Sequence, residues 1–222
     1  MKNNHLFDLE AKSIEIIENS FIENFSISTT SFGLTSVVLI NLISESNLEI
    51  PIVFIDTGFH FSETIDYYKS IISRYQNLNF TRLSPDLNKL QFLEKHGRNI
   101  YNEDPDFCCN YNKVIPLENY LERKGIKIWY AAVRKSQSAF RKTLNEREKM
   151  KENLIKVHPL LFWTESDIDS YIKVNELPSH PLQNQGYESI GCLPCTQTGI
   201  SRSGRWADHA KTECGLHLNI NN

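Results

Sequence analysis

Short apolar segments alternate with amphipathic ones along this chain, and the alternation limits the fold more than any other feature. The run Ile50–Ile55 is almost continuously apolar, as a strand buried on both faces of a sheet should be. The predicted strands are Ile27–Thr30, Ile50–Ile55, Asn79–Leu83, Ile126–Val133 and Leu154–Val157. Strands that alternate with helices predict an α/β fold, in which a mainly parallel sheet is flanked by helices.

The intervening segments carry apolar residues at helical spacing. The predicted helices are Leu9–Phe21, Val37–Ser44, Ser62–Arg74, Pro85–His96, Tyr111–Lys124 and Thr164–Val174. Ser62 is a predicted N-cap, and Thr164 is expected to form a capping box with Asp167.

Three polar loops follow predicted strands, at Ser28–Ser36, Asp56–Gly58 and Arg134–Arg141. Ligands of parallel sheets bind beyond the carboxyl ends of the strands, so we expect these loops to converge on one crevice. The first loop precedes a helix, and free backbone N–H groups at a helix start suit an anion. The sequence therefore predicts a crevice for an anionic ligand.

The five cysteines divide into two pairs and a single residue. Cys192 and Cys195 form a C-x-x-C pair, and Cys108 and Cys109 are adjacent. Two pairs can supply the four thiolates that zinc or an iron–sulfur cluster requires. Cys214 is outside both pairs and is the candidate nucleophile. The nearby cationic side chains would lower its pKa and favour the nucleophilic thiolate.

The adjacent pair bears on the kind of metal centre. The Cβ atoms of adjacent residues diverge in a helix and in a strand. Cys108 and Cys109 therefore reach one centre only at a kink, or when the centre is larger than one ion. This favours a [4Fe–4S] cluster over zinc. Two alternatives stay open at this point: a disulfide framework, which the odd number and the chain length disfavour, and ordinary burial of free thiols.

Composition narrows the class of protein. A net charge of −3 does not suggest a nucleic-acid-binding surface. No apolar run approaches the length of a membrane span, and the charged N-terminus does not resemble a signal peptide. A free thiol and thiolate-bound metal suit a reducing compartment. We expect a cytoplasmic enzyme with one domain over 1–222, without a nucleic-acid or membrane partner; whether it is a homo-oligomer stays open.

The motifs resemble those of the sulfonucleotide reductase family, whose members reduce adenylyl sulfate (APS) or its 3′-phosphorylated form (PAPS) to sulfite. The resemblance covers the chain from about Phe25 to Leu218. It is carried by the runs DFCCNYNKVIPL, IGCLPC and GRWADHAKTECGLH. It implies an adenine nucleotide alpha hydrolase-like fold, with a C-terminal segment at about 200–222 that carries the nucleophile.

The resemblance also implies residue roles. Cys214 would be the catalytic nucleophile. The cluster ligands would be Cys108, Cys109, Cys192 and Cys195. The substrate-binding residues would be Ser31, Phe32, Gly33, Asp56, Thr57, Gly58, Lys113, Arg134, Arg141, Arg202, Arg205 and His217. Guanidinium groups suit tetrahedral oxyanions, and Lys113 would offset the negative charge of the cluster and the sulfate.

The implied reaction is reduction of APS to sulfite and AMP through an S-sulfocysteine on Cys214, with thioredoxin or a similar dithiol as reductant. The four cluster cysteines are typical of APS-using members, whereas Leu34-Thr35-Ser36 resembles the loop of PAPS-using ones. A PAPS-preferring or dual-specificity reductase is thus an alternative. An ATP-using tRNA sulfur transferase is a more remote one.

Overall fold

A computed structural model describes residues 4–207, 209 and 211–217, and within them six strands form one sheet. The strands are β1 (Ser26–Thr30), β2 (Ile52–Ile55), β3 (Phe80–Leu83), β4 (Ile128–Ala131), β5 (Arg147–Lys151) and β6 (Leu154–Val157). Their order is β3-β2-β1-β4-β6-β5. All neighbouring pairs are parallel except β5 and β6, which are antiparallel at one edge. The predicted α/β fold with a mainly parallel sheet is confirmed.

Helices cover both faces of this sheet. They are α1 (Asn4–Ser20), α2 (Leu34–Ser46), α3 (Ser62–Arg74), α4 (Lys89–His96), α5 (Ile100–Glu103), α6 (Pro105–Cys109), α7 (Ile115–Lys124), α8 (Ala139–Lys142) and α9 (Glu165–Val174). Successive strand residues point to opposite faces, so Phe54 and Tyr130 pack in the core beneath α2, and Trp129 packs beneath α7. Each face thus has its own apolar core.

The predicted cap of α3 and the predicted start of α4 differ from the structure. Ser62 is the first residue of α3 rather than its cap; Phe61 occupies the cap position, and the Ser62 hydroxyl donates to Glu63 instead. Helix α4 begins at Lys89 and not at Pro85, because Asn88 forms a capping box with Gln91. The predicted capping box of Thr164 and Asp167 is confirmed at the start of α9.

The edge strand β5 has no counterpart among the predicted strands. Its sequence, Arg-Glu-Lys-Met-Lys, buries only Met150, so it lacks the apolar pattern by which a strand is recognised. Charged side chains are common on edge strands, where they discourage pairing with another chain.

The predicted helix Tyr111–Lys124 is part of a longer helical stretch that begins at Pro105. A π-helical turn at Asn110–Val114 separates α6 from α7. The cysteine pair therefore ends α6, directly before an irregular turn, rather than preceding the helix. Among the described residues, no helix has the length and apolar character needed to cross a membrane.

Candidate active site

A cavity lies beyond the carboxyl ends of β1, β2 and β4. Two of the three predicted loops line it, the one after β1 and the one after β4, together with the C-terminal segment. The predicted site residues on its wall are Ser31, Gly33, Lys113, Arg134, Arg141, Arg202, Arg205, Cys214 and His217. Of the segment at about 200–222, positions 208, 210 and 218–222 lie outside the described residues.

Four of the residues predicted to bind the substrate are not on this wall: Phe32, Asp56, Thr57 and Gly58. Phe32 is fully buried at φ 57° and packs edge-on against Phe54 with ring centroids 5.0 Å apart. Asp56 is buried, pairs with Arg82 and accepts the N–H of Gly58 at 2.9 Å. Thr57 faces the cysteines. These residues shape the loops from behind, and their direct contact with a ligand stays a prediction.

The cavity wall is rich in cations. Arg134 is buried and its Nε donates to Thr35 Oγ1 at 3.2 Å, and burial lowers the pKa of its guanidinium. Arg205 packs over the Trp206 ring at 4.3 Å and donates from Nη1 to the carbonyl of Ile190 at 3.3 Å. A wall of this kind suits a ligand with several negative oxygens.

The Arg205 guanidinium fits against Gly191. A Cβ at this position would lie 2.3 Å from Arg205 Nη2, closer than any real contact. The guanidinium therefore occupies the space that a Cβ at position 191 would take, and a larger residue there would displace it.

Glu213, the neighbour of Cys214, joins two of the arginines. Arg141 donates from Nε and Nη2 to the two carboxylate oxygens at 2.8 Å each, and Arg202 Nη2 donates at 3.1 Å. The carboxylate also accepts the N–H of Cys214 at 3.0 Å. Burial alone would raise its pKa, but the bonds and charge of Arg141 and then Arg202 hold that pKa below the ordinary value.

Cys214 lies on the cavity wall with its Sγ 3.7 Å from that of Cys109. The hydrogen bond from Cys109 lowers the pKa of the Cys214 thiol well below its ordinary value, and the charges of Lys113 and Arg205 act in the same direction against burial. Burial lowers the pKa of the Lys113 ammonium group, but the negative charges of Cys192 and Cys214 outweigh burial and raise that pKa. The charges of Cys214 and Lys113 thus favour each other, and both residues line the cavity.

A second, smaller cavity is lined by the other four cysteines together with Thr57, Lys113 and Arg205. The sequence-predicted ligand set is thus brought together, although its members are up to 87 positions apart along the chain. Within the part of the chain that the structure describes, no three His, Cys, Asp or Glu side chains are close enough to hold a single metal ion. The four thiol groups therefore line the wall of a cavity and do not converge on a single point.

Local backbone contacts fix these cysteines. Leu193 N–H donates to the carbonyl of Phe59 at 2.7 Å, and Cys192 forms an isolated antiparallel bridge with His60. The Thr57 hydroxyl lies 3.3 Å from Cys192 Sγ. On the other side, Asn112 in the π-helical turn donates to the Cys108 carbonyl at 2.9 Å. Burial, together with the nearby Cys192, raises the pKa of the Cys108 thiol to about 12.

Sequence reasoning missed two buried side chains of this site. Glu213 stands beside the predicted nucleophile, so its position in E-C-G-L-H was the available signal. Lys156 is 2% exposed and donates from Nζ to the Leu216 carbonyl at 2.6 Å. No local signal in Leu154–Val157 distinguishes this lysine from one that faces solvent.

Comparison with known proteins gives consistent matches. The phosphoadenosine phosphosulfate reductase domain family matches residues 26–198. A protein of Bacillus pumilus named adenosine 5′-phosphosulfate reductase is 43% identical over 194 residues, covering 84% of this chain and 82% of that protein. One of the same name from Staphylococcus epidermidis is 40% identical over 203 residues, covering 88% and 82%.

Among solved structures, the phosphoadenylyl-sulfate reductase of Candida auris, a phosphate complex, superposes with a TM-score of 0.72 at 26% identity. The alignment covers 89% of this chain and 98% of that one.

Proposed function

Since the chain belongs to the phosphoadenosine phosphosulfate reductase domain family, we propose that it reduces APS to sulfite and AMP at the expense of a dithiol such as thioredoxin. The relatives named adenosine 5′-phosphosulfate reductase match over most of both chains, which supports APS as the substrate. The observation that carries the proposal is the position of Cys214 on the wall of a cationic cavity, with its pKa lowered.

In the first half-reaction, the Cys214 thiolate attacks the sulfur of the sulfuryl group. A new S–S bond forms while the bond from sulfur to the bridging phosphate oxygen breaks, and its electron pair leaves with AMP. Cys214 becomes an S-sulfocysteine. Splitting the reaction at a covalent intermediate lets each half use a different partner.

In the second half-reaction, a thiolate of the dithiol attacks Cys214 Sγ, and sulfite leaves with the electron pair of the S–S bond. The second thiol then resolves the mixed disulfide and restores the Cys214 thiolate. The dithiol loses two electrons and becomes a disulfide, and the transferred sulfur gains them in passing from sulfate to sulfite.

The cavity residues would bind and orient the nucleotide. The loop at Ser31 and Gly33, before α2, offers backbone N–H groups to the phosphate. Arg134 and Arg205 would hold the oxyanions of the phosphosulfate. Arg141 and Arg202 are paired with Glu213, so their first role is to hold the segment that carries Cys214.

The four remaining cysteines fit a [4Fe–4S] cluster. They line one cavity and their donor set is all thiol. Cys108 and Cys109 are adjacent in the regular helix α6, which suits a cluster because a cluster is larger than a single ion. Cys108, Cys109, Cys192 and Cys195 would hold it, and its charge would polarise the site near Lys113. A metal-bound Cys109 would have no proton to donate, so Lys113 and Arg205 would then keep the pKa of Cys214 low.

PAPS is the second candidate substrate. The family and the Candida auris structure are named for PAPS reduction, and the loop Leu34-Thr35-Ser36 lies on the cavity wall. Steady-state sulfite release from each nucleotide by anaerobically purified protein decides between them. We expect kcat/KM for APS to be at least equal to that for PAPS. A preference for PAPS of about tenfold, or roughly 1.4 kcal/mol at the transition state, would reverse the assignment.

The half-reactions themselves are tested by withholding the reductant. Protein mixed with APS alone should release about one AMP per active site and stop, with one sulfonate group on Cys214 in the intact mass and peptide map. Thioredoxin added afterwards should liberate sulfite. A sulfonate on Cys108 or Cys195 would exclude the proposed mechanism.

A further inference from the structure

Lys156 is buried in β6, beneath the turn that follows the nucleophile. Its side chain is 2% exposed, and its Nζ lies 3.8 Å above the centre of the Trp129 ring. Trp129 is its register partner on the neighbouring strand β4. An ammonium group over an indole face is stabilised by the ring quadrupole, so the strand pair holds this cation in a fixed place.

The lysine has two hydrogen-bonding partners on the C-terminal segment. Nζ donates to the Leu216 carbonyl at 2.6 Å and lies 3.2 Å from His217 Nδ1. Both partners belong to the short 3-10 turn Gly215–His217, which begins one residue after Cys214. No carboxylate of the described residues forms an ion pair with Lys156. Both hydrogen-bonding partners of its ammonium group therefore belong to this turn.

The chemistry of an ammonium group decides the tautomer of His217. Such a group has three donors and no acceptor, so His217 Nδ1 must accept and the ring proton must lie on Nε2. Burial, followed by the charge of Lys156, lowers the pKa of His217 well below its ordinary value, which keeps the ring neutral. His217 lies on the same cavity wall as Cys214.

The charges around Lys156 oppose one another. Burial and the charge of Arg141 lower its pKa to about 7, whereas the Cys214 thiolate and the carboxylates of Glu213 and Glu148 raise it. The reactive thiolate and the ammonium therefore favour each other. This coupling favours a protonated lysine beneath a thiolate at Cys214.

We propose that Lys156 is a positioning residue for the reaction: it anchors the turn after Cys214 and fixes His217 as a neutral imidazole that donates from Nε2 into the cavity. The donor would face the oxygens of the sulfuryl group as Cys214 attacks. The role rests on the proposed function, but the tautomer of His217 is a property of the protein without substrate.

The first test measures that tautomer directly. Two-bond 1H–15N correlation spectra of the cluster-loaded protein labelled with 15N-histidine distinguish the two neutral forms, and His217→Gln identifies the signal. We expect the Nε2–H form in the unaltered protein and its partial or complete loss in Lys156→Met. A wild-type His217 in the Nδ1–H form would overturn the proposal, even if no Lys156 variant folds.

The second test separates positioning from binding. In a single turnover with APS, Lys156→Met should form the Cys214 adduct at least about tenfold more slowly. In the steady state, the KM for APS should change by less than about threefold. Lys127→Met is the matched control, because Lys127 also lies over an aromatic ring, that of Phe25 at 4.6 Å, but at the amino end of β4. It should keep the wild-type rate. Adduct formation by Lys156→Met within about twofold of wild type would contradict the proposal.

Chemical rescue completes the design. Lys156→Ala should regain part of its single-turnover rate with propylammonium, which fits the vacated space, and none with tetramethylammonium, which has no donor. Equal effects of both cations would count against a hydrogen-bonding role. If wild-type protein forms no adduct at all, the proposed function fails, and the histidine spectra still decide the role of Lys156.

Discussion

Cys214 differs from the other cysteines through its surroundings. The hydrogen bond from Cys109, followed by the charges of Lys113 and Arg205, lowers its pKa against burial. The same cations act on Cys108 or Cys195, but there burial is the largest cause and raises the pKa of both thiols. Thiolate character and access decide which thiol reacts, so these surroundings support the prediction that Cys214 is the nucleophile.

Substitution of single cysteines should separate the two roles. Cys214→Ser should keep about four irons per chain and the brown colour but form no adduct with APS. Cys192→Ser should lose iron and colour first, because it removes a proposed ligand. Iron analysis, visible absorbance and intact mass provide the readouts. A colourless wild-type protein with one zinc per chain would show that the cluster assignment is wrong.

At the scale of elements, two contacts determine where the Arg205 guanidinium lies. The side chain packs against the loop Ile190–Gly191, and the backbone of Arg205 forms an antiparallel bridge with Thr196. Gly191→Ala should push the guanidinium away, because the new Cβ would lie 2.3 Å from Nη2. We expect weaker APS binding, similar to that of Arg205→Ala, measured by equilibrium binding to anaerobic protein.

A double-mutant cycle checks this prediction. If Gly191→Ala acts through Arg205, the double variant should bind APS no more weakly than Arg205→Ala alone, because the two changes remove the same contact. Additive losses would mean that Gly191 has a separate role.

The C-terminal segment is held by buried contacts on both sides of Cys214. Glu213→Gln should loosen it, since removing one partner of a buried ion pair costs about 3–5 kcal/mol. We expect faster tryptic cleavage after Lys211 and slower adduct formation.

The matched control is Glu165→Gln, whose 66%-exposed carboxylate lies 3.9 Å from Arg134. An exposed pair contributes only about 0–1 kcal/mol, so this variant should resist trypsin like the wild type. Equal protection of both variants would refute the anchoring role of Glu213.

Across the whole molecule, the sequence predicted the features that depend on local pattern. The parallel strands, the capping box at Thr164 and the approach of the four cysteines follow from apolar runs, capping residues and ligand spacing. The pairing of Arg141 with Glu213 joins positions 72 residues apart and leaves no local signature. Lys156 likewise donates to the Leu216 carbonyl, 60 residues further along the chain. Tertiary contacts of this kind cannot be derived from spacing in one sequence.

A buried histidine couples the stability of the molecule to pH. His180 is fully buried; its Nδ1 accepts the N–H of Leu182 at 3.2 Å, so Nε2 carries the proton and donates to Thr64 Oγ1 at 2.9 Å. Protonation of Nδ1 would break the first bond, and burial lowers the pKa of His180 to about 4. In the unfolded chain the pKa is about 6.5, so the unfolded state binds the proton first as the pH falls.

The contribution of His180 to the free energy of unfolding is therefore complete above about pH 6.5. It is lost as the pH falls towards about 4, with a slope of up to about 1.4 kcal/mol per pH unit. His180→Asn retains an acceptor for Leu182 and has no group that titrates there. It should be less stable than wild type at pH 7.5, since the bond to Thr64 is gone, but should lose less stability between pH 7 and pH 5. Urea unfolding followed by tryptophan fluorescence at several pH values measures both. If the variant lost stability over this interval as steeply as wild type, His180 would not be a source of the acid sensitivity.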